Sequence, residues 1–231
     1  MQHLILLHGA LGSKDQLQPL ATRLQNTFHV HSFNFSGHGG RPFPDTAFSI
    51  PLFAEQVAEY MKESNLEQAN IFGYSMGGYA AMYLAKHFPD KINRLVTLAT
   101  KFHWDDKTAS REVKMLDGKT IQEKVPAFAA QLQQRHAPND WLVLLNKTKE
   151  LLTNLGNENT LQPEDYPSIT TPALILLGDR DKMVTLEETV AVYKQLPNAQ
   201  LGVLPGTPHA FEQADLAFLA EMIGRFINEK A

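Results

Sequence analysis

Short apolar runs alternate with segments of helical period along most of this 231-residue chain. Helical spacing of leucine and aromatic residues is clear over residues 52–61 and 216–227. Because parallel strands need a crossover, and the crossover helices cover the sheet, the alternation predicts an α/β fold: a mostly parallel sheet flanked by helices. The runs typical of buried strands are residues 3–7, 28–35, 70–73, 94–99, 173–178 and 201–204.

The alternation stops between residues 101 and 166, where only helical patterns and polar loops remain. Two helices are predicted there, over residues 121–136 and 141–155, and Pro126 should kink or restart the first of them. A helical insertion between two strands cannot join the sheet without breaking the rule of right-handed crossovers. We therefore expect it to lie above the strand ends as a helical lid.

The expected domain organisation follows from this break. Residues 1–100 and 167–231 should form the core domain, and residues 101–166, called the cap segment below, should form the lid. A lid of this kind supplies apolar walls to a pocket, although most of its large side chains could equally be packing within the lid. The candidates for substrate contact are Trp104 and Trp141 from the cap segment and Met183 from the core domain.

Segment 73–78 reads Gly-Tyr-Ser-Met-Gly-Gly and matches the pattern G-x-S-x-G between a predicted strand and a predicted helix. A strand that turns directly into a helix strains the backbone at the turn, and the flanking glycines let strand and helix approach closely. The hydroxyl of Ser75 then lies at a helix N-terminus, where developing negative charge is favoured. The pattern also arises by chance, but its strand-to-helix setting favours Ser75 as a nucleophile.

A serine nucleophile needs a base, and the base needs a group that orients it. Asp179 and Asp181 follow the predicted strand 173–178, and His209 follows the last predicted strand. The carboxyl ends of parallel strands share one edge of the sheet, so these side chains are expected near Ser75. Turn aspartates and an inert loop histidine are the plain alternatives, but the chain order serine, acid, histidine favours a triad. The residues alone leave both aspartates open as the acid.

The loop after the first predicted strand reads His-Gly-Ala-Leu-Gly from His8 onward. Attack by a serine on a carbonyl group develops negative charge on the carbonyl oxygen, which backbone N–H groups stabilise. We predict that the N–H groups of Ala10 and Met76 form this oxyanion hole. His8 is predicted to be a structural residue that braces the loop.

Composition excludes several other classes of protein. The net charge is -4 and no Lys/Arg run occurs, so no nucleic-acid partner is expected. The absence of cysteine excludes disulfides, thiolate metal sites and cysteine nucleophiles. No apolar stretch approaches the ~20 residues of a membrane span, and the N-terminal run is too short for a signal peptide. We expect a cytoplasmic monomer or homodimer without metal, cofactor or membrane partner.

With these residues in view, the chain resembles the α/β-hydrolase family over nearly its whole length, and within it the small capped carboxylesterases. The resemblance rests on the residue patterns at 8–9, 36–39, 73–78, 178–181 and on His209. It implies that Asp181 rather than Asp179 is the triad acid. It also implies a sheet of about six strands, because the chain starts at the strand before the oxyanion loop. Pro208 departs from the family, which commonly has glycine before the histidine.

The expected function is hydrolysis of a small or medium carboxylic ester through an acyl-enzyme at Ser75, with a small-molecule substrate. The same machinery serves thioester, lactone and carbon–carbon bond hydrolysis, and the fold does not choose among them. A ligand-binding receptor with slow turnover is the alternative from a different class of protein.

Overall fold

The computed structural model describes residues 1–229, and its core is one six-stranded sheet in which all strands run parallel. The order across the sheet is β2-β1-β3-β4-β5-β6. The parallel sheet and its six strands confirm the predicted α/β class. The strands are β1 (Gln2–Leu7), β2 (Phe28–Ser32), β3 (Ala69–Tyr74), β4 (Ile92–Leu98), β5 (Ala173–Gly178) and β6 (Ala199–Leu204).

Nine α-helices connect and cover these strands within residues 1–229. Buried side chains of α2, α3 and α8 pack on one face of the sheet, and those of α1 and α9 pack on the other. Both faces are therefore covered, as the continuous apolar runs of the strands require. The helices are α1 (Gln18–Leu24), α2 (Ile50–Glu63), α3 (Met76–His87), α4 (Asp106–Met115), α5 (Gly118–Lys124), α6 (Pro126–His136), α7 (Trp141–Asn157), α8 (Leu186–Tyr193) and α9 (Leu216–Asn228).

The strand order reverses between β1 and β3, and this reversal positions the site. β1 leads to β2 on one side, and the chain then returns to place β3 on the other side of β1. Leu7 pairs with Gly73, so both strands end at the same level of the sheet. The loops that follow them meet in the crevice at the carboxyl edge, where ligands bind in open α/β sheets.

Four helices, α4 to α7, occupy the chain between β4 and β5. The predicted helix 121–136 is divided at Pro126, which begins α6, and the predicted helix 141–155 is α7. Helix α4 was not predicted, because its sequence is mostly polar and buries only Ala109 and Glu112.

Strand β2 is shorter than the predicted 28–35, since its pairing with β1 ends at Ser32. β2 is an edge strand, and its single partner β1 ends at Leu7. Phe33 and Phe35 continue the apolar pattern by packing in the core without strand pairing.

Candidate active site

Ser75 lies at the sharp turn between β3 and α3, with φ 51° and ψ -118°. Positive φ is uncommon for a residue other than glycine and costs free energy that the surroundings must offset. Here a bond from Ser75 N–H to the Leu98 carbonyl (2.9 Å) and one from Thr100 Oγ1 to the Ser75 carbonyl (3.2 Å) hold the turn. A Cβ on Gly73 would lie 2.5 Å from the Gly78 backbone, so only glycine permits this approach of strand and helix.

The imidazole of His209 lies between Ser75 and Asp181. Its Nε2 is 3.3 Å from Ser75 Oγ, and its Nδ1 is 2.8 Å from Asp181 Oδ2. The Asp181 side chain is fully buried, and its other oxygen accepts the backbone N–H groups of Met183 (2.8 Å) and Val184 (2.9 Å). Because the carboxylate only accepts, Nδ1 carries the proton, and Nε2 is left to accept from the serine hydroxyl.

Asp179, the other candidate acid, has a different environment. It lies at the surface, where its Oδ1 accepts the N–H of Thr207 (3.2 Å) and its Oδ2 is 3.8 Å from Arg180 Nε. Of the two aspartates, Asp181 is the one that contacts His209.

The loop after β1 packs directly against Ser75. A Cβ on Gly9 would lie 3.1 Å from the Cβ of Ser75, and a turn closes from Gly12 N–H to the Gly9 carbonyl (3.1 Å). Ala10 and Met76 line the same cavity as Ser75. Across residues 1–229, no hydrogen bond within the chain takes up the N–H of Ala10 or of Met76, so both are free to meet a developing oxyanion.

A cavity of about 940 Å³ contains Ser75 and His209 and extends beneath the cap segment. Of the three candidates for substrate contact, Trp104 and Met183 line it. Trp141 is instead buried in an apolar cluster within the cap segment, with Ile121, Ala129, Leu132 and Leu145. The apolar wall contributed by the cap segment includes Ile121, Val125, Phe128, Leu151, Leu152 and Leu155.

Three charged residues that the cap segment contributes to the cavity wall were not singled out from the sequence: Lys101, Glu112 and Arg135. Lys101 pairs with Glu188 at 2.8 Å, and Glu112 accepts from Arg111 at 2.8 Å. Their positions depend on how the cap helices pack, and no local pattern in the sequence marks them.

The comparison with protein families decides the family. The protein-family model described as alpha/beta hydrolase fold matches residues 2–137, which is more than half of the chain. The chain belongs to this family. Within residues 1–229, none of its helices combines the length and the apolar character needed to cross a membrane.

The proteins that are similar to this α/β-hydrolase include esterases. Esterase YbfF of Escherichia coli is 25% identical over 98% of this chain and 93% of its own length. A pimeloyl-[acyl-carrier protein] methyl ester esterase of Neisseria meningitidis is 26% identical over 89% of this chain and 85% of its own length. The solved enol-lactonase from Burkholderia xenovorans has a TM-score of 0.78 and 18% identity, over 99% of this chain and 92% of its own, and shows the fold alone. Family and relatives together support an enzyme of the hydrolase type.

Three buried histidines form hydrogen bonds with the backbone of the loops that follow β1 and β2. His8 Nδ1 donates to the Gly9 carbonyl (2.8 Å), while its Nε2 accepts the Phe35 N–H (3.1 Å). Burial lowers the pKa of His8 to about 4, and the bond to the Gly9 carbonyl partly opposes this lowering. These are the contacts of a residue that braces the loop.

The other two buried histidines are His38 and His136, whose rings are 5.9 Å apart. Burial lowers the pKa of His38 well below 6.5 and that of His136 to about 4. His136 was not singled out from the sequence. Its partner Gly39 lies 97 residues away along the chain, so no local spacing connects them.

The buried histidines make stability depend on pH. In the unfolded chain a histidine has a pKa near 6.5, whereas the pKa values of the buried histidines are lowered in the folded protein. Their contribution to the free energy of unfolding is therefore fully present above about pH 6.5 and is lost as the pH falls toward 4. Because one pKa unit is about 1.4 kcal/mol, His136→Gln should reduce the fall in unfolding free energy between pH 7 and pH 5 by about 2 kcal/mol. Urea denaturation at the two pH values measures this difference.

The glutamine in His136→Gln can still donate to one partner and accept from the other, which keeps the fold comparable with the parent. His103→Gln, which removes an exposed histidine of the cap segment, is the matched control. An identical fall in the parent and in His136→Gln would contradict the assignment of His136 as a buried neutral group.

Proposed function

We propose that this protein is a serine hydrolase that cleaves small or medium carboxylic esters through an acyl-enzyme at Ser75. The observation that carries the proposal is the continuous contact from Ser75 Oγ through His209 to the buried carboxylate of Asp181, at the wall of a large, mostly apolar cavity. Esterases among the similar proteins point to the same substrate class, a small-molecule ester.

The proposed reaction begins when Ser75 Oγ attacks the carbonyl carbon and its proton passes to His209 Nε2. The carbonyl electron pair moves onto oxygen, and the N–H groups of Ala10 and Met76 hold this oxyanion. Collapse of the intermediate breaks the bond to the alcohol oxygen, which takes the proton from Nε2 and leaves the acyl group on Ser75. Water then repeats both steps with His209 as its base, releases the carboxylic acid and restores the serine hydroxyl.

Asp181 has two functions in this scheme. It fixes the ring of His209 with the proton on Nδ1, and it stabilises the imidazolium that forms during attack. Its remaining oxygen accepts two backbone N–H groups, so the carboxylate cannot rotate away from the ring without losing both bonds.

We also propose that residues 101–166 act as a lid over a core made of residues 1–100 and 167–231. The support for this is the position of helices α4 to α7 between β4 and β5, and the apolar cavity wall that they supply. An apolar wall around a few fixed polar groups sets which acyl chain fits. Ser75, Asp181 and His209 all lie outside this segment.

The first test of the proposal is covalent labelling. A fluorophosphonate probe should modify Ser75 and no other serine, because His209 lies 3.3 Å from its hydroxyl and activates it. Mass spectrometry of the digested protein locates the label. Ser75→Ala should lose the label, while Ser110→Ala, an exposed serine of α4, should keep it. Labelling elsewhere, or none in folded parent protein, would rule out the nucleophile.

The same preparation can be screened for steady-state turnover on esters, thioesters and lactones of graded chain length. Preferred turnover of esters supports the proposal. Binding of these compounds without turnover would favour the alternative of a ligand-binding receptor with slow turnover. A preference for thioesters or lactones would change the substrate class but keep the chemistry at Ser75.

The two aspartates at the end of β5 give a matched pair of variants. Asp181→Asn should lower kcat by about 10⁴-fold, since the ring of His209 loses the partner that fixes its tautomer. Asp179→Asn should change kcat little, because an amide oxygen can still accept the N–H of Thr207. Steady-state kinetics on one ester substrate compare the two, and equal losses would refute the role assigned to Asp181.

The two tryptophans of the cap segment separate cavity lining from packing. Trp104 lines the cavity, so Trp104→Ala should shift the preferred acyl chain length while the protein stays folded. Trp141 is 5% exposed within the cap cluster, so Trp141→Ala should lower stability by roughly 3–5 kcal/mol. A chain-length series of esters and a thermal melt measure the two effects. An unchanged preference profile in Trp104→Ala would show that core loops set the substrate size.

A further inference from the structure

The carbonyl oxygen of Leu11 is held by two side chains from the cap segment. Arg135 Nη1 donates to it at 2.9 Å, and His136 Nε2 lies 3.0 Å from it. Both residues belong to the last turn of α6, whereas Leu11 follows Ala10 in the loop after β1. The cap segment therefore contacts the backbone of the loop that carries one of the two proposed oxyanion donors.

The backbone at Leu11 explains why such support is needed. Leu11 has φ 57°, and it is the third residue of the turn that Gly12 N–H closes onto the Gly9 carbonyl. A positive φ at this position of a turn normally calls for glycine, because a side chain there is strained. The turn keeps this conformation only if contacts elsewhere favour it.

His136 is suited to this task because it is neutral and has both ring nitrogens engaged. Its Nδ1 accepts the N–H of Gly39 at 3.0 Å, so the ring proton is on Nε2 and is donated to the Leu11 carbonyl. The ring is fully buried, so water cannot replace either partner easily. One imidazole thus connects the loop after β1 to the loop after β2.

Arg135 extends the connection toward the catalytic histidine. Besides Leu11, its guanidinium lies 3.7 Å from Glu212, three residues beyond His209. Glu212 in turn accepts from Gln16 Nε2 at 2.9 Å, next to the same loop after β1. Arg135 is about one-fifth exposed and lines the cavity, so these contacts lie at the site itself.

We infer that Arg135 and His136 are positioning residues that hold the oxyanion loop in its working conformation, so that the oxyanion hole is complete only when helix α6 is seated on it. The inference rests on the proposed function. Neither residue exchanges a proton or touches the reacting carbonyl. Each bonds to the Leu11 carbonyl and thereby holds the turn of residues 9–12, which contains the N–H of Ala10.

The inference predicts a loss in transition-state binding without a loss in substrate binding. Arg135→Met and His136→Leu remove the donors while keeping apolar volume. Loss of an oxyanion donor costs about 10²–10³-fold in kcat, so displacing one should lower kcat about tenfold in each variant and about 10²-fold in the double variant. KM for p-nitrophenyl butyrate should stay within about threefold of the parent, since uniform binding is unchanged.

Three comparisons separate positioning from general damage to the fold. His136→Gln and Arg135→Lys retain a donor and should recover most of kcat. Gln134→Met changes an exposed neighbour on the same helix and should match the parent. Inhibition by phenylboronic acid, whose adduct with Ser75 places an oxygen in the oxyanion hole, should weaken in parallel with kcat. All rates are normalised to the sites titrated by fluorophosphonate, and thermal melts verify folding.

The outcomes are distinct. A fall in kcat with parallel weakening of the boronic acid, and rescue by the donor-retaining variants, supports the inference. Raised KM with unchanged kcat, or folded variants with parent kcat, overturns it. If the double variant fails to fold, the single variant Arg135→Met, at a partly exposed position, decides between these outcomes. A parent protein without ester turnover and without label at Ser75 would instead refute the proposed function.

Discussion

The backbone contact between β1, β3 and the start of α3 is the constraint on which the rest of the site depends. A Cβ on Gly73 would lie 2.5 Å from Gly78, and one on Gly77 would lie 2.6 Å from the carbonyl oxygens of Leu7 and His8. These approaches are shorter than any side chain permits, so glycine is required on both sides of Ser75. The contact forces the turn at Ser75 and brings the loop after β1 beside it.

The same contact determines where charge can be stabilised. With β1 and β3 adjacent and ending together, the residues whose N–H groups lack a partner within residues 1–229, Met76 at the start of α3 and Ala10 in the loop after β1, line one cavity. His209 and Asp181 arrive from β6 and β5 at the same edge of the sheet, where two backbone N–H groups fix the carboxylate. The proposed donors and the proposed base are therefore oriented before a substrate binds, which is the condition for electrostatic stabilisation of a transition state.

Features encoded within a few residues were predictable from the sequence, and features that depend on distant packing were not. The strand-to-helix turn at Ser75 and the break at Pro126 are local, and both agree with the structure. Asp179 and Asp181 are equivalent by spacing, and the family resemblance was needed to prefer Asp181. Trp141 was a candidate for substrate contact, but an apolar residue on a helix of the cap segment shows the same pattern whether it lines a cavity or packs in a cluster.

The polar helix α4 and the buried ring of His136 belong to the second group. Helix α4 lies against α7 so closely that a Cβ on Gly156 would be 2.4 Å from Ala109, yet the pattern of α4 alone is that of an exposed segment. His136 gains its environment from Gly39 and Leu11, which lie far away in the sequence. Tertiary burial, rather than residue type, turns this histidine into a neutral crosslink with one donor and one acceptor.

The contacts of α6 link two properties proposed above, the selection of the substrate and the geometry of the oxyanion loop. Its Phe128 lines the cavity that would select the acyl chain, and its last turn holds the loop beside Ser75. A change that reshapes the cavity wall near Phe128 is made on the same helix that presents Arg135 and His136. Under these proposals, substrate preference and oxyanion geometry are coupled through one helix, whereas α4 contributes wall residues and, within residues 1–229, makes no hydrogen bond to that loop. Redesign of substrate preference should accordingly be less costly to catalysis on α4 than on α6.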